Sequence, residues 1–164
     1  MKQESLSRKP CVNAHHHHST TEAAVREAVR HTELVLCDSC GAIRYEQKWQ
    51  WMKAPANIAS GRCPSCTRVY QKTPAGYIML HGDFVLDHRN EILSLIHHIE
   101  TRERVLDPLK RIMWVEYQQE GVIVTTADIP LTHVIGEALL RAYKGDLDYH
   151  FNEAKVLLFV CWKR

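Results

Sequence analysis

At 164 residues the chain has room for one ordinary domain, or for a small module beside a compact one. With 45% hydrophobic and 24% charged residues it is too apolar for a disordered chain. Its longest apolar run, Val156 to Trp162, is far below the roughly 20 residues of a membrane helix. The opening residues lack the apolar core of a secretory signal, which sets the expectation of a cytoplasmic protein with no membrane partner. The formal charge of +2 is unevenly spread: residues 1–36 sum to +1, residues 37–76 to +4 and residues 77–164 to −3.

Residues 1–33 read as a polar, flexible arm. Its four consecutive histidines, His15 to His18, are either a weak transition-metal binder or a plain polar run. Residues 20–30 offer one or two helical turns after a threonine cap, with Ala24, Val25 and Val29 aligned. That is too short to fold alone.

Residues 34–76 carry the strongest chemical signal. Six cysteines without an export signal point to thiols or metal rather than a disulfide frame. Cys11 lies in the arm and Cys161 in an apolar run, whereas Cys37, Cys40, Cys63 and Cys66 form two C-x-x-C pairs separated by 22 residues. Two residues between paired cysteines let one turn present both sulfurs to one ion, and Gly41, Gly61 and Pro64 suit such turns. Four thiolates fill a tetrahedral sphere and leave no open position, so the expected cofactor is one structural Zn2+ in a zinc ribbon. Each pair is expected where a strand turns back, and residues 43–51 are expected to form one ribbon strand. Neither pair is expected in the strand–helix setting of a thioredoxin-like dithiol.

The same module interleaves Trp49, Trp51 and Tyr70 with Arg44, Lys48, Lys53, Arg68 and Lys72. Aromatics stack on bases and cations meet phosphates, which makes these residues candidate nucleic-acid contacts. The competing reading is that the aromatics pack the ribbon against its neighbour while the cations are merely solvated.

Residues 77–164 read as an α/β domain. The apolar positions give a strand at 77–81 and a helix over 84–104 with Val85, His88, Ile92, Leu95, Ile96 and Ile99 on one face. Strands at 110–118 and 122–126 flank a turn. Asp128 caps a second helix with Pro130 in its first turn, its apolar face is Leu131, Val134, Ile135, Ala138, Leu139 and Ala142, and Gly145 ends it. A hairpin of 147–151 with 155–162 completes the chain. The predicted class is α+β: an N-terminal zinc ribbon followed by a ferredoxin-like β-α-β-β-α-β-β sandwich, its sheet antiparallel and covered on one face by two helices.

Asp146, Asp148 and His150 alternate along a predicted strand, and His81, Asp83, Asp87 and His88 cluster near a predicted helix start. Either set can serve acid–base chemistry, but an edge strand's wet face and helix capping account for them equally. No phosphate-loop, dinucleotide-binding, serine-elbow or zinc-protease motif occurs.

From Cys37 onward the chain resembles a family of short, largely uncharacterised bacterial zinc-ribbon proteins. The resemblance lies in residues 74–77, in 82–84 with His88, Arg89 and 91–93, and in 107–113. It continues through 124–126, 135–139 and 142–148. More distantly, the paired knuckles and the Gly145-Asp-Leu-Asp-Tyr149 strand are similar to the large-ribosomal-subunit export adaptor of eukaryotes and archaea. That resemblance implies only the four cysteines as zinc ligands. Together these readings set the expectation of a zinc-ribbon protein that binds RNA or a ribonucleoprotein, with ribosome association among the possibilities. The alternatives are a zinc-stabilised protein-interaction adaptor and an enzyme built on one of the acid–histidine sets.

Overall fold

The computed structural model describes residues 34–164. The helical turns expected over 20–30, the histidine run at 15–18 and Cys11 lie outside the described residues.

Short strands build the first lobe. β1 (Val35–Cys37) pairs antiparallel with β2 (Ile43–Tyr45), and β2 with β3 (Lys48–Gln50). β4 (Ala59–Gly61) runs parallel to β1, giving the order β3-β2-β1-β4. The single strand expected over 43–51 is instead a hairpin. Glu46 and Gln47 both adopt left-handed backbone, with φ of 47° and 66°. Consecutive positive φ angles make a turn whose twist matches the flanking strands, and here non-glycine residues supply it. After β4 comes a helix, α1 (Pro64–Gln71), with Pro64 in its first turn, where a missing N–H costs nothing.

The second part contains β5 (Gly76–His81), α2 (Asp83–Asp87), α3 (Arg89–Leu106), β6 (Ile112–Gln118), β7 (Gly121–Thr126), α4 (Ile129–Tyr143), β8 (Asp146–Asn152) and β9 (Leu157–Lys163). The chain is therefore α+β, with two sheets and four helices among the described residues. The helix expected over 84–104 breaks at His88, whose φ of −110° and ψ of 20° separate α2 from α3. Asp128 caps α4 by accepting from Leu131 N at 2.9 Å, as its sequence position implies.

The large sheet has the order β6-β7-β5-β9-β8. β5 and β6 flank β7, a split β-α-β arrangement. The expectation of a wholly antiparallel sheet needs one correction, because β9 lies beside β5 and parallel to it. The final hairpin is the cause: α4 leads into β8 at the sheet edge, and β9 returns inside it next to β5.

Alternate residues of the strands form the core with the helices. Ile78 and Leu80 of β5, Val122 and Val124 of β7, and Val160 and Trp162 of β9 meet Val85, Ile92, Ile96, Leu131, Ile135 and Leu139. α4 crosses β5 so closely that a Cβ on Gly76 would fall 1.9 Å from Thr132 Oγ1, which explains the glycine. Side-chain hydrogen bonds tie the lobe to this body. Trp51 Nε1 donates to the Arg104 carbonyl at 2.7 Å, and Ser65 Oγ donates to the Leu109 carbonyl.

Candidate metal centre

The first cysteine pair sits on a tight turn after β1. Gly41 has φ of 78°, a conformation that glycine adopts without strain. Its N–H donates to the Cys37 carbonyl at 2.9 Å, while Cys37 N donates to the Ala42 carbonyl at 2.7 Å. The second pair departs from the expected strand turn. Cys63 caps α1 and Cys66 lies within its first turn, so the second C-x-x-C occupies a strand–helix junction after all.

The two turns bring Cys37, Cys40, Cys63 and Cys66 together, with all four ligand atoms within 4.8 Å of one another and no disulfide between them. The Sγ atoms of Cys40 and Cys63 stand 3.9 Å apart. A tetrahedron with metal–sulfur bonds near 2.3 Å has edges of about 3.8 Å, so this spacing suits a single ion. Cys37, Cys63 and Cys66 are buried and Cys40 is partly exposed. Together with Ala42, the three buried cysteines form one buried cluster in the lobe, with Cys40, Trp49 and Leu109 packed against it. Four cysteines thus close a site that can hold a metal ion.

Electrostatics at the cluster fit a tetrathiolate. Cys63 N donates to Cys37 Sγ at 3.3 Å and Cys66 N donates to Cys63 Sγ at 3.4 Å, so backbone donors face the sulfurs. α1 also directs its N-terminal partial positive charge at Cys63 and Cys66. From the body, Arg111 comes near Cys66 and opposes the upward pull of burial on its thiol. The Arg111 Nη2 atom is buried without a hydrogen-bond partner, a costly state for a cation unless negative charge lies close by. Four thiolates around a metal ion would supply that charge.

Burial raises the Cys63 thiol to about 11 and also raises Cys66. At Cys37 burial acts upward too, but the backbone N–H groups of Cys63 and Ser39 bring the thiol down to about 7. A redox dithiol needs a lowered pKa at its helix-terminal cysteine, and Cys63 shows the opposite. The depressed Cys37 contributes stability at pH above its ordinary value of 9.0, and this is lost as pH falls through about 7. Raised Cys63 contributes below 9.0 and loses that contribution as pH climbs towards about 11. Metal binding to all four thiolates at pH 7 must then displace at least about two protons, those of Cys63 and Cys66, and affinity must fall steeply below that pH. Calorimetry in buffers of different ionisation enthalpy checks this, and release of fewer than about one proton would contradict it.

No family model matches the chain, and comparison with curated proteins and with solved structures likewise gives no match. The site therefore rests on its own geometry.

The candidate nucleic-acid residues differ in their surroundings. Trp49 packs on the cysteine cluster. Trp51 is exposed but tied to α3 through the Arg104 carbonyl, with the Arg104 guanidinium 5.9 Å from its ring. Arg68 donates to the Thr73 carbonyl at 3.4 Å. Arg44 lies partly buried on β2, and Lys48, Lys53 and Lys72 are exposed. Tyr70 is the most open ring of the set at 75% exposure, and Arg62 lies 4.5 Å over it. Two residues beside the cluster were not singled out from the sequence. Arg62 was visible only as one more cation, and Arg111 is 45 positions from Cys66, so no local signal places it there.

The acid–histidine sets are not enclosed. Asp146, Asp148 and His150 stand exposed along β8, and His88 pairs with Glu91 at 3.4 Å on the surface of α3.

Proposed function

We propose that this protein is a cytoplasmic zinc-ribbon protein that binds RNA or a ribonucleoprotein, the ribosome included, through its metal lobe. The single observation carrying the metal reading is the convergence of four unbridged cysteine sulfurs on one point, a donor set that favours zinc or iron–sulfur chemistry over hard cations. Zinc suits it best because the tetrathiolate completes a lobe whose buried cluster is otherwise one alanine. The body is read as a ferredoxin-like split β-α-β core extended by the β8–β9 hairpin. The resemblance to short bacterial zinc-ribbon proteins and, more remotely, to the ribosomal export adaptor belongs to the same reading.

The RNA component is supported by charge and by Tyr70. Residues 37–76 sum to +4, falling to about +2 once four thiolates and a dication are counted, against −3 for the rest of the body. Exposed Lys48, Lys53 and Lys72, with the Arg62–Tyr70 stack, offer phosphate and base contacts. Titration with structured RNA should give an affinity that falls as salt rises, and Tyr70→Ala should weaken it by about 1–3 kcal/mol. Affinity insensitive to salt, or no affinity, would refute the reading.

A further inference from the structure

The register of the large sheet leaves one face directed away from α2, α3 and α4. Ile78, Leu80, Val160 and Trp162 point into the core, so their neighbours along β5 and β9 project to the opposite side. Cross-strand register then assembles a row of rings on that side. Trp114 of β6, Tyr77 of β5, Phe159 of β9 and His150 of β8 occupy matched positions, with only Thr125 of β7 between the first two. Tyr77 and Phe159 stack at 5.3 Å with 7° between their planes, and His150 lies 6.2 Å from Phe159. Trp114, Tyr77 and Phe159 all retain partial exposure, and none belongs to either apolar core.

Carboxylates lie immediately beside this row. Two positions along the same face, Glu116 stands on one outer strand and Asp148 on the other, and Asp146 follows on β8 opposite Lys163, the one lysine or arginine among these rows. All three acids are exposed. The Glu116 carboxylate receives only a 3.2 Å bond from Gln118, and the carboxylates of Asp146 and Asp148 have no hydrogen-bond or ion-pair partner among the described residues. Rings flanked by unpaired carboxylates repel a phosphate backbone and attract guanidinium and ammonium groups, which stack on aromatic faces and pair with carboxylates.

We propose that this sheet face binds an arginine- and lysine-rich polypeptide segment of a partner protein. It is a different surface from the metal lobe, and the proposal goes beyond the RNA reading without depending on it.

The test uses the full chain purified under reducing conditions and a fluorescein-labelled peptide of alternating arginine and glycine, read by anisotropy and by amide chemical shifts. Saturable binding is expected, with shifts concentrated in β5, β6, β8 and β9. Asp148→Asn and Glu116→Gln should each weaken binding by about tenfold, whereas Asp87→Asn on α2 should leave it unchanged. All three positions are exposed, so the fold is retained and far-UV dichroism checks it. The absence of saturable binding, equal losses in all three variants, or shifts confined to the helices would overturn the proposal. So would single-stranded RNA that shifts the same sheet amides and displaces the peptide, which would assign the face to nucleic acid. Loss of RNA binding in Tyr70→Ala with the peptide affinity intact would separate the two surfaces and support both readings.

Discussion

Replacing Cys63 by serine is expected to abolish stoichiometric metal binding and to unfold the lobe while the α+β body stays folded. Cys63 acts three ways at once. It brings one of the four sulfurs to the cluster, it caps α1 by accepting the Cys66 N–H, and its own N–H donates to Cys37 Sγ. A serine can still cap the helix, so the variant isolates the loss of the sulfur ligand. Metal binding in small structural zinc modules contributes about 10–16 kcal/mol, far more than the lobe's few buried residues can replace. The loss of affinity should exceed the 10–100-fold typical of changes in the shell around a metal. Trp49 packs on the cluster and reports the event by fluorescence. Far-UV dichroism should keep the signal of α3 and α4, whose core is separate. A variant that binds one equivalent of metal with wild-type affinity would contradict this account.

The second large effect belongs to the body. Trp162 is fully buried on β9, surrounded by Phe84 and Tyr143, and its indole N–H donates to the Lys144 carbonyl at 2.8 Å. That bond ties the end of α4 to the sheet across the turn that leads into β8. Trp162→Ala should cost about 3–5 kcal/mol through the cavity alone. A single domain has roughly 5–15 kcal/mol in total, so much of the protein should be near its threshold. Trp162→Phe should cost less but leave the Lys144 carbonyl unsatisfied, adding about 1–3 kcal/mol if no water replaces the donor. Urea denaturation measures both, and a loss below about 1 kcal/mol for the alanine variant would mean that the ring is not the centre of this core.

Much of this was legible in the sequence because local signals agreed with tertiary need. Helical periodicity over 84–104 and 131–142 identified the buried faces, and Asp128 with Pro130 located the start of α4. The four cysteines were evident from spacing alone. What escaped has physical causes. Residues 43–51 alternate like one strand, and nothing in Glu46-Gln47 resembles the Asn-Gly pair that signals such a turn, so the hairpin was hidden. α1 was missed because its eight residues make only about two turns, although Pro64 directly after Cys63 is a helix-start signal. The parallel pairing of β9 with β5 is a long-range choice that no window contains. Arg111 reaches the cluster for the same reason.

The break at His88 shows how a tertiary demand overrides periodicity. The apolar spacing runs through it, yet the backbone leaves helical geometry there, and the His88 ring stacks on Phe84 at 4.1 Å. Phe84 in turn packs beside Trp162 and beneath Arg164.

Metal analysis of the full chain, purified without added metal under reducing conditions, tests the central claim most directly. One zinc per chain, exchangeable for cobalt with the absorption of a tetrahedral tetrathiolate site, is the expected result. Protein that is folded in the lobe yet contains no zinc, or that contains iron in its place, would contradict it.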